Sequence, residues 1–238
     1  MPSEANDSPW LPVEPTSGNP SICLFRVHLN DLSHRMSMTR YTNLDAVLNH
    51  VWDQLETAAE TPGHAYRSLT FGTVHEQAPD LRTVVLRRAS EDDRQLQFHT
   101  DRRSEKVAAL QQNDRIAWHG WDPDTRQQIR LYGAASVHLD DDVAMDLWES
   151  QSPGSLDVYV RPSAPGTPLD EPDDGLRPAV KSEPITADDV AEGRQHFAAI
   201  RTVIDRIVWL HLHPDGHYQA HFEYQPDEQS FEGTWVVP

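Results

Sequence analysis

From Thr42 onward the apolar residues fall into a helical period. Leu44, Val47, Leu48, Val51, Trp52 and Leu55 recur three and four apart, with Asn43 placed as the N-cap. The spacing predicts an amphipathic helix ending near Ala59, cut off by Thr61-Pro62-Gly63. Strand character follows over residues 68–75, 82–88, 96–100, 116–121 and 127–139, separated by short turn-forming segments such as Asp122-Pro123-Asp124. Five strands joined this tightly argue for an antiparallel sheet closing on itself. Helical chemistry interrupts them at 104–112, where Ser104 can cap, and returns at 141–150. The stretch 161–184 carries six prolines and many acids and reads as a long surface loop. The pattern then predicts a third helix over 186–204 and a closing hairpin, 207–213 and 217–224, turned by Pro214-Asp215-Gly216. The fold class is therefore mainly β, an α+β chain with peripheral helices.

Composition changes the picture mostly at the amino end. Residues 1–37 hold Pro9, Pro12, Pro15 and Pro20 among Ser, Asn and Asp and show no sustained apolar period. Such a segment buries too little to offset its ordering entropy, so residues 1–40 are predicted as a disordered extension before one domain, 41–238. The apolar island Ile22-Cys23-Leu24-Phe25 is too short to span a bilayer, and no signal-peptide cleavage pattern follows it. A soluble, cytoplasmic protein is expected. Cys23 is the single cysteine, which excludes an intramolecular disulfide and a thiolate metal cage. The formal charge of -18 repels nucleic-acid phosphates and anionic lipid, so neither nucleic acid nor membrane is an expected partner.

Candidate chemistry gathers in two places. Arg82-Thr83-Val84-Val85-Leu86-Arg87 is a strand with a cation at each end, and alternation sends Arg82 and Arg87 to opposite faces. Phe98-His99-Thr100-Asp101-Arg102-Arg103-Ser104-Glu105-Lys106 then brings a strand end, hydroxyls, a helix start and several cations into one loop. Helix amides, a hydroxyl and Lys or Arg are what a phosphate needs, although a solvated charged turn would read the same way.

The order of the pieces adds to this reading. An R-x-V-x-L-[KR] strand, a [FY]-x-T-[DN]-x-x-S-x-K turn and Gln127-Gln128-Ile129-Arg130-Leu131-Tyr132-Gly133 together resemble the pyridoxamine 5′-phosphate oxidase family. The ending Trp235-Val236-Val237-Pro238 is similar to that family's close. The resemblance implies an FMN-binding split β-barrel, a homodimer with FMN at its interface, and oxidase-like chemistry on a small-molecule substrate. It implies that Arg82 and Lys106 neutralise the FMN phosphate while Thr100 and Ser104 hydrogen-bond to it. Thr83, Val84, Val85 and Leu86 would line the ring, Arg87 would stand near ring and substrate, and Gln128 would reach the flavin. His99 occupies an aromatic Tyr position of the same site. Glu105 replaces an Arg, so Arg102 or Arg103 is expected to restore the charge.

The substrate side departs further. A Tyr-x-x-x-Arg-x-x-x-Ser pattern corresponds here to Leu147, Gln151 and Ser155, and an Arg-x-His-x-Arg pattern to His217, Gln219 and His221. Arg87, Ser155, His217 and His221 are the candidate substrate contacts, in a branch distinct from the true oxidase. Without the guanidinium forks, bidentate phosphate recognition is lost. A flavin-binding or flavin-sensing protein without turnover is the alternative, as is the same barrel around haem or a deazaflavin. His211, His213, His217 and His221 crowd one hairpin, where hydrogen-bonded histidines are expected over a metal site. Trp118 and Trp121 are expected to pack in the core or the dimer seam.

Overall fold

The computed structural model of the 238-residue chain describes residues 39–75, 77–176 and 184–238. The readings made on residues 1–38 and 177–183 lie outside the described residues. The described residues from 39 onward form one compact unit.

Helix α1, Leu44–Glu60, starts where Asn43 Oδ1 accepts the Ala46 amide and buries Val47, Val51, Trp52, Leu55 and Ala58. The described residues then hold nine strands: β1 Ser68–His75, β2 Ala78–Val85, β3 Arg88–Ser90, β4 Gln95–Asp101, β5 Arg115–Asp122, β6 Gln127–His138, β7 Phe197–His211, β8 Tyr218–Gln225 and β9 Ser230–Val236. Helix α2, Glu105–Gln112, joins β4 to β5. Helices α3, Asp142–Glu149, α4, Pro153–Leu156, and α5, Ala187–Val190, precede β7. Among the described residues no helix is long and apolar enough to cross a membrane.

Every strand pair is antiparallel, in the order β2-β1-β5-β6-β7-β4-β3, with β8 on β7 and β9 on β8. The 15-residue β7 is the spine: its first half pairs with β4, its last six residues with β8, and β6 runs along it. The register of β6 against β7 shifts at Tyr132/Gly133. A Cβ on Gly133 would overlap the Val203 carbonyl, so this position needs glycine for the strands to approach.

The sheet curls but does not close. Its end strands β2 and β3 are joined only by Leu86 and Arg87, whose amides donate to Arg67 O (2.9 Å) and Gln97 O (2.8 Å) respectively. Leu86 therefore binds the chain leading into β1 while Arg87 binds β4, and upstream of that point β2 and β4 separate. The result is a split barrel. Its interior holds Phe71, Phe98 and Trp118 with ring centroids 4.8–5.5 Å apart. The Trp118 indole N–H donates to Thr202 Oγ1, whose hydroxyl donates to Leu96 O, so these two buried polar groups are paired. Trp118 is thus a core residue; Trp121 stays 40% exposed.

Three expectations are corrected. The helix forecast over 186–204 is one turn, Ala187–Val190, then a 3₁₀ segment, Ala191–His196, then β7. Phe197, Ala198, Ala199 and Ile200 are buried on both faces because β7 is paired on both edges and covered outside by α3–α5. Strand alternation is erased there, and alanine mimics helical propensity. The second correction is β2, which begins at Ala78; Pro79 is tolerated because β2 ends the strand path. Finally, the closing hairpin forms between the end of β7 and β8, but a further strand, β9, follows it and carries Trp235 and Val236.

Candidate functional site

Alternation in β2 faces Asp80, Arg82 and Val84 one way, opposite Thr73, Phe71 and Leu69 of β1. Arg82 thereby enters the barrel end, where Nη1 donates to Thr73 Oγ1 (2.8 Å) and to Phe71 O (3.4 Å), and Nη2 pairs with Asp80. β4 delivers Thr100 to the same end, and α2 brings Lys106, whose Nζ donates to Thr100 Oγ1 (3.0 Å). Burial first, and the Arg82 guanidinium second, pull the Lys106 ammonium below the usual lysine range. Asp101, Asp80 and Glu105 pull the other way more weakly. Two cations thus share one half-buried place lined by threonine hydroxyls.

The remaining loop residues support this cradle indirectly. Ser104 is the α2 N-cap by position, but its hydroxyl donates to Asp101 O (2.6 Å) and caps no helix amide. The Arg103 guanidinium forks onto Asp101 through Nε and Nη2 (2.6–3.3 Å) and also donates to Arg161 O and Pro162 O. Arg102 turns to Asp140 and Gln195 O. Both arginines near Glu105 pair within the chain, Arg102 with Asp140 and Arg103 with Asp101, while Arg82 and Lys106 stand together at the barrel end.

Arg87 lies apart from that cradle, as alternation requires. Its charge acts on Arg67, on His99 and on the buried Tyr159. Burial, then Arg87, pushes His99 down to about 4, so the ring is neutral near pH 7. Gln97, 2% exposed, joins His99 (3.3 Å) to Arg201 (3.0 Å), while Phe197 meets the His99 ring edge-on at 5.0 Å.

Between these two groups runs the open edge of β2. Arg87 donates from this edge to β4; Val85 and Thr83, two and four residues earlier, face the same way, where no strand pairs with β2. The backbone at Thr83 and Val85 thus offers amide and carbonyl groups at the split, while the Val84 and Leu86 side chains are buried in the core.

The other expected residues lie elsewhere in the single chain. Gln128 is on the outer face of β6, 3.3 Å from His119. Strand register lines up Thr83, Thr70, His119, Arg130, Val208, His221 and Thr234 in one outer row. Arg130 Nε in that row is buried without a partner. His221 also meets Gln219 (2.7 Å), Ser155 donates to Ser152 O (2.7 Å), and His217 is exposed in a turn. No hydrogen bond brings Gln128, Ser155, His217 or His221 to Arg87 or Lys106 among the described residues. His211 and His213 are buried, with His211 bonded to Tyr218 and His213 accepting from the Asp215 amide. Among the described residues no group of three or more His, Cys, Asp or Glu could hold a metal ion.

Sequence reasoning missed Thr73, Asp80, Gln97, Tyr159 and Arg201. Asp80 falls outside the strand predicted over 82–88, behind Pro79. The Gln97–Arg201 pair needs the register of two strands 104 residues apart.

An antiparallel split barrel with a cationic cradle at one end and an open strand edge beside it defines the class of protein. Residues 49–139 match the family model described as pyridoxamine 5′-phosphate oxidase, FMN-binding domain. Over that stretch the chain is similar to the family's FMN-binding domain. The matched stretch contains Arg82, Thr100, Lys106 and Gln128; Ser155, His217 and His221 lie beyond it. No curated protein matches the chain. A solved pyridoxamine 5′-phosphate oxidase-related, FMN-binding protein from Nostoc punctiforme PCC 73102 has a similar fold. The TM-score is 0.62 at 23% identity, covering 84% of this chain and 100% of that one. PhzG from Burkholderia lata 383, solved with tetrahydrophenazine-1-carboxylic acid, gives 0.59 at 18% identity, covering 82% of this chain and 93% of that one.

Proposed function

We propose that this protein is an FMN-dependent oxidoreductase, a cytoplasmic homodimer whose small-molecule substrate is not pyridoxine or pyridoxamine 5′-phosphate. The observation that carries the cofactor is the pairing of Arg82 and Lys106 in one half-buried place with Thr73 and Thr100. Like charges held together in partial burial are unfavourable alone, and a phosphate monoester relieves them with charge-assisted hydrogen bonds. That donor set fits the phosphate of FMN.

Once bound, FMN supplies the acceptance and return of reducing equivalents. The chain does the holding. Arg82 and Lys106 take the phosphate, and Thr100 adds a hydroxyl. Arg103 absorbs the charge of Asp101, which otherwise competes for Lys106. The backbone edge at Thr83 and Val85 suits the polar rim of a flat heterocycle. Arg87 and His99 lie on the other side of that edge, where a substrate would approach.

Dimerisation is supported by what one chain leaves incomplete. Arg130 Nε is buried and unpaired on the outer face, where Leu81, Val74, Val85 and Trp121 are 66%, 40%, 39% and 40% exposed. A second copy would cover that face and bring Gln128, His217 or His221 to its neighbour's site. The substrate assignment follows from Leu147 and Gln151, which lack the phenol and guanidinium needed for a second phosphate. The same loss favours the second reading, a flavin carrier or sensor without turnover.

Titrating flavin-free protein with FMN and with riboflavin tests the cofactor assignment. FMN binding at micromolar concentration, with riboflavin far weaker, is expected; equal affinity for both, or none, overturns it. Anaerobic bleaching of the loaded protein by NADPH or an amine identifies the enzyme. Indifference to a broad reductant panel identifies the carrier.

A further inference from the structure

The hydrogen-bond chain Arg201–Gln97–His99 contains one residue that can only donate. Arg201 Nε lies 3.0 Å from the Gln97 amide, so the atom facing it is the oxygen, Oε1. Gln97 is 2% exposed and has only Nε2 left to turn toward His99 Nε2, 3.3 Å away. An amide N–H needs a lone pair there. A proton on His99 Nε2 would set donor against donor inside the protein, and flipping the amide would create the same conflict at Arg201.

We infer that Arg201, acting through Gln97, holds His99 as a neutral imidazole with its hydrogen on Nδ1, a fixed donor for an acceptor atom of the ligand. Arg201 and Gln97 are positioning residues. This inference rests on the placement of His99 at the flavin or substrate site. Arg87, from the strand connection, acts on the ring, and Arg201, from β7, reaches it through Gln97; Asp101 lies two residues further along β4, and Tyr159, from the segment after α4, packs on Phe197, the ring's aromatic neighbour. The Asp101 carboxylate is occupied by Arg103, and Tyr159 is held protonated by burial. Nothing near the ring therefore favours the imidazolium, and Arg87 opposes it. His99 Nδ1 has no protein partner among the described residues and is not one of the buried unpaired atoms, so it remains available. It complements a carbonyl oxygen, a carboxylate or an unprotonated ring nitrogen placed beside Arg87, and it is unsuited to donate and reclaim a proton at neutral pH.

Long-range proton–nitrogen correlation spectra of the full-length ¹⁵N-labelled protein, without flavin and with added FMN, read the tautomer directly. The His99 signal, assigned by its loss in His99→Asn, is expected to show a bare Nε2 and a protonated Nδ1. In Gln97→Glu the carboxylate accepts from both neighbours, so the hydrogen moves to Nε2 and the ring titrates at higher pH. Arg201→Met frees the amide to flip, and a second tautomer appears. A protonated Nε2 in the wild type overturns the inference, as does an unchanged tautomer in Gln97→Glu. If Gln97→Glu does not fold, a single unchanged tautomer in Arg201→Met overturns it. Protein that ignores FMN yet shows the Nδ1 hydrogen refutes the cofactor assignment alone. Flavin-loaded protein with hydrogen on Nε2 refutes this inference alone.

Discussion

At the scale of single residues, the proposed phosphate site turns on Lys106 and the charged groups beside it. Lys106→Ala removes one charge-assisted contact to a phosphate, worth about 1.5–3 kcal/mol, or roughly ten- to a hundredfold in FMN affinity. Flavin retention after gel filtration and equilibrium titration check it, with the fold followed by circular dichroism. Because the Lys106 ammonium is held below the ordinary lysine value, it loses its proton earlier on the alkaline side. FMN affinity is therefore expected to fall as pH rises through that lowered value. Lys106→Arg removes the fall, and titrations across the alkaline range decide. Asp80 pairs with Arg82 and stands where a phosphate would compete. Asp80→Asn is expected to tighten FMN binding by a few-fold, in line with the ~0.2–1 kcal/mol of a partly exposed pair. That Thr100 and Lys106 meet was legible in the sequence because hydroxyls and cations recur at that strand end, whereas Arg82 was linked to them only by the order of motifs. Asp80 was not, since Pro79 disguised the start of β2.

Elements tell a different story about legibility. Helix α1 and strands β1, β2, β4, β5 and β6 follow from period and punctuation, apart from the bounds of β2, because each has one solvated face or a clear turn, whereas the three-residue β3 has no counterpart among the predicted strands. β7 was misread because it is buried on both sides over its first residues, where pairing with β4 and β6 overrides the helical bias of Ala198 and Ala199. Gly133, visible as the last residue of a motif, acquires its meaning only from the shift in register against β7. Gly133→Ala is expected to destabilise the fold by about 1–3 kcal/mol or more, since the obstruction is backbone and cannot rotate away. Urea unfolding midpoints measure this, with Gly154→Ala, which meets nothing within 4 Å, as the control.

For the molecule as a whole, charge and acid sensitivity dominate. A formal charge of -18 opposes the approach of a phosphate until the ligand reaches the Arg82–Lys106 cradle. Raising salt from low to physiological ionic strength is expected to speed FMN association, the reverse of a basic protein, as stopped-flow quenching of flavin fluorescence can show. His99 and His211 are each pushed down to about 4, chiefly by burial. The unfolded chain binds protons at these positions near pH 6.5 and the folded chain does not, so stability drops as pH falls from about 6.5 to about 4. Replacing either histidine with Asn flattens that slope in pH-dependent unfolding.

Leu86 and Arg87 make the barrel a hoop fastened by one short link, with a slit beside it. Whatever settles in the slit works as a clasp, gripping both lips at once, so it resists opening by more than its own contacts. Cofactor loading is then expected to slow proteolysis across β2 and β4 before it alters any distant loop, and an emptied hoop would spring at that seam first.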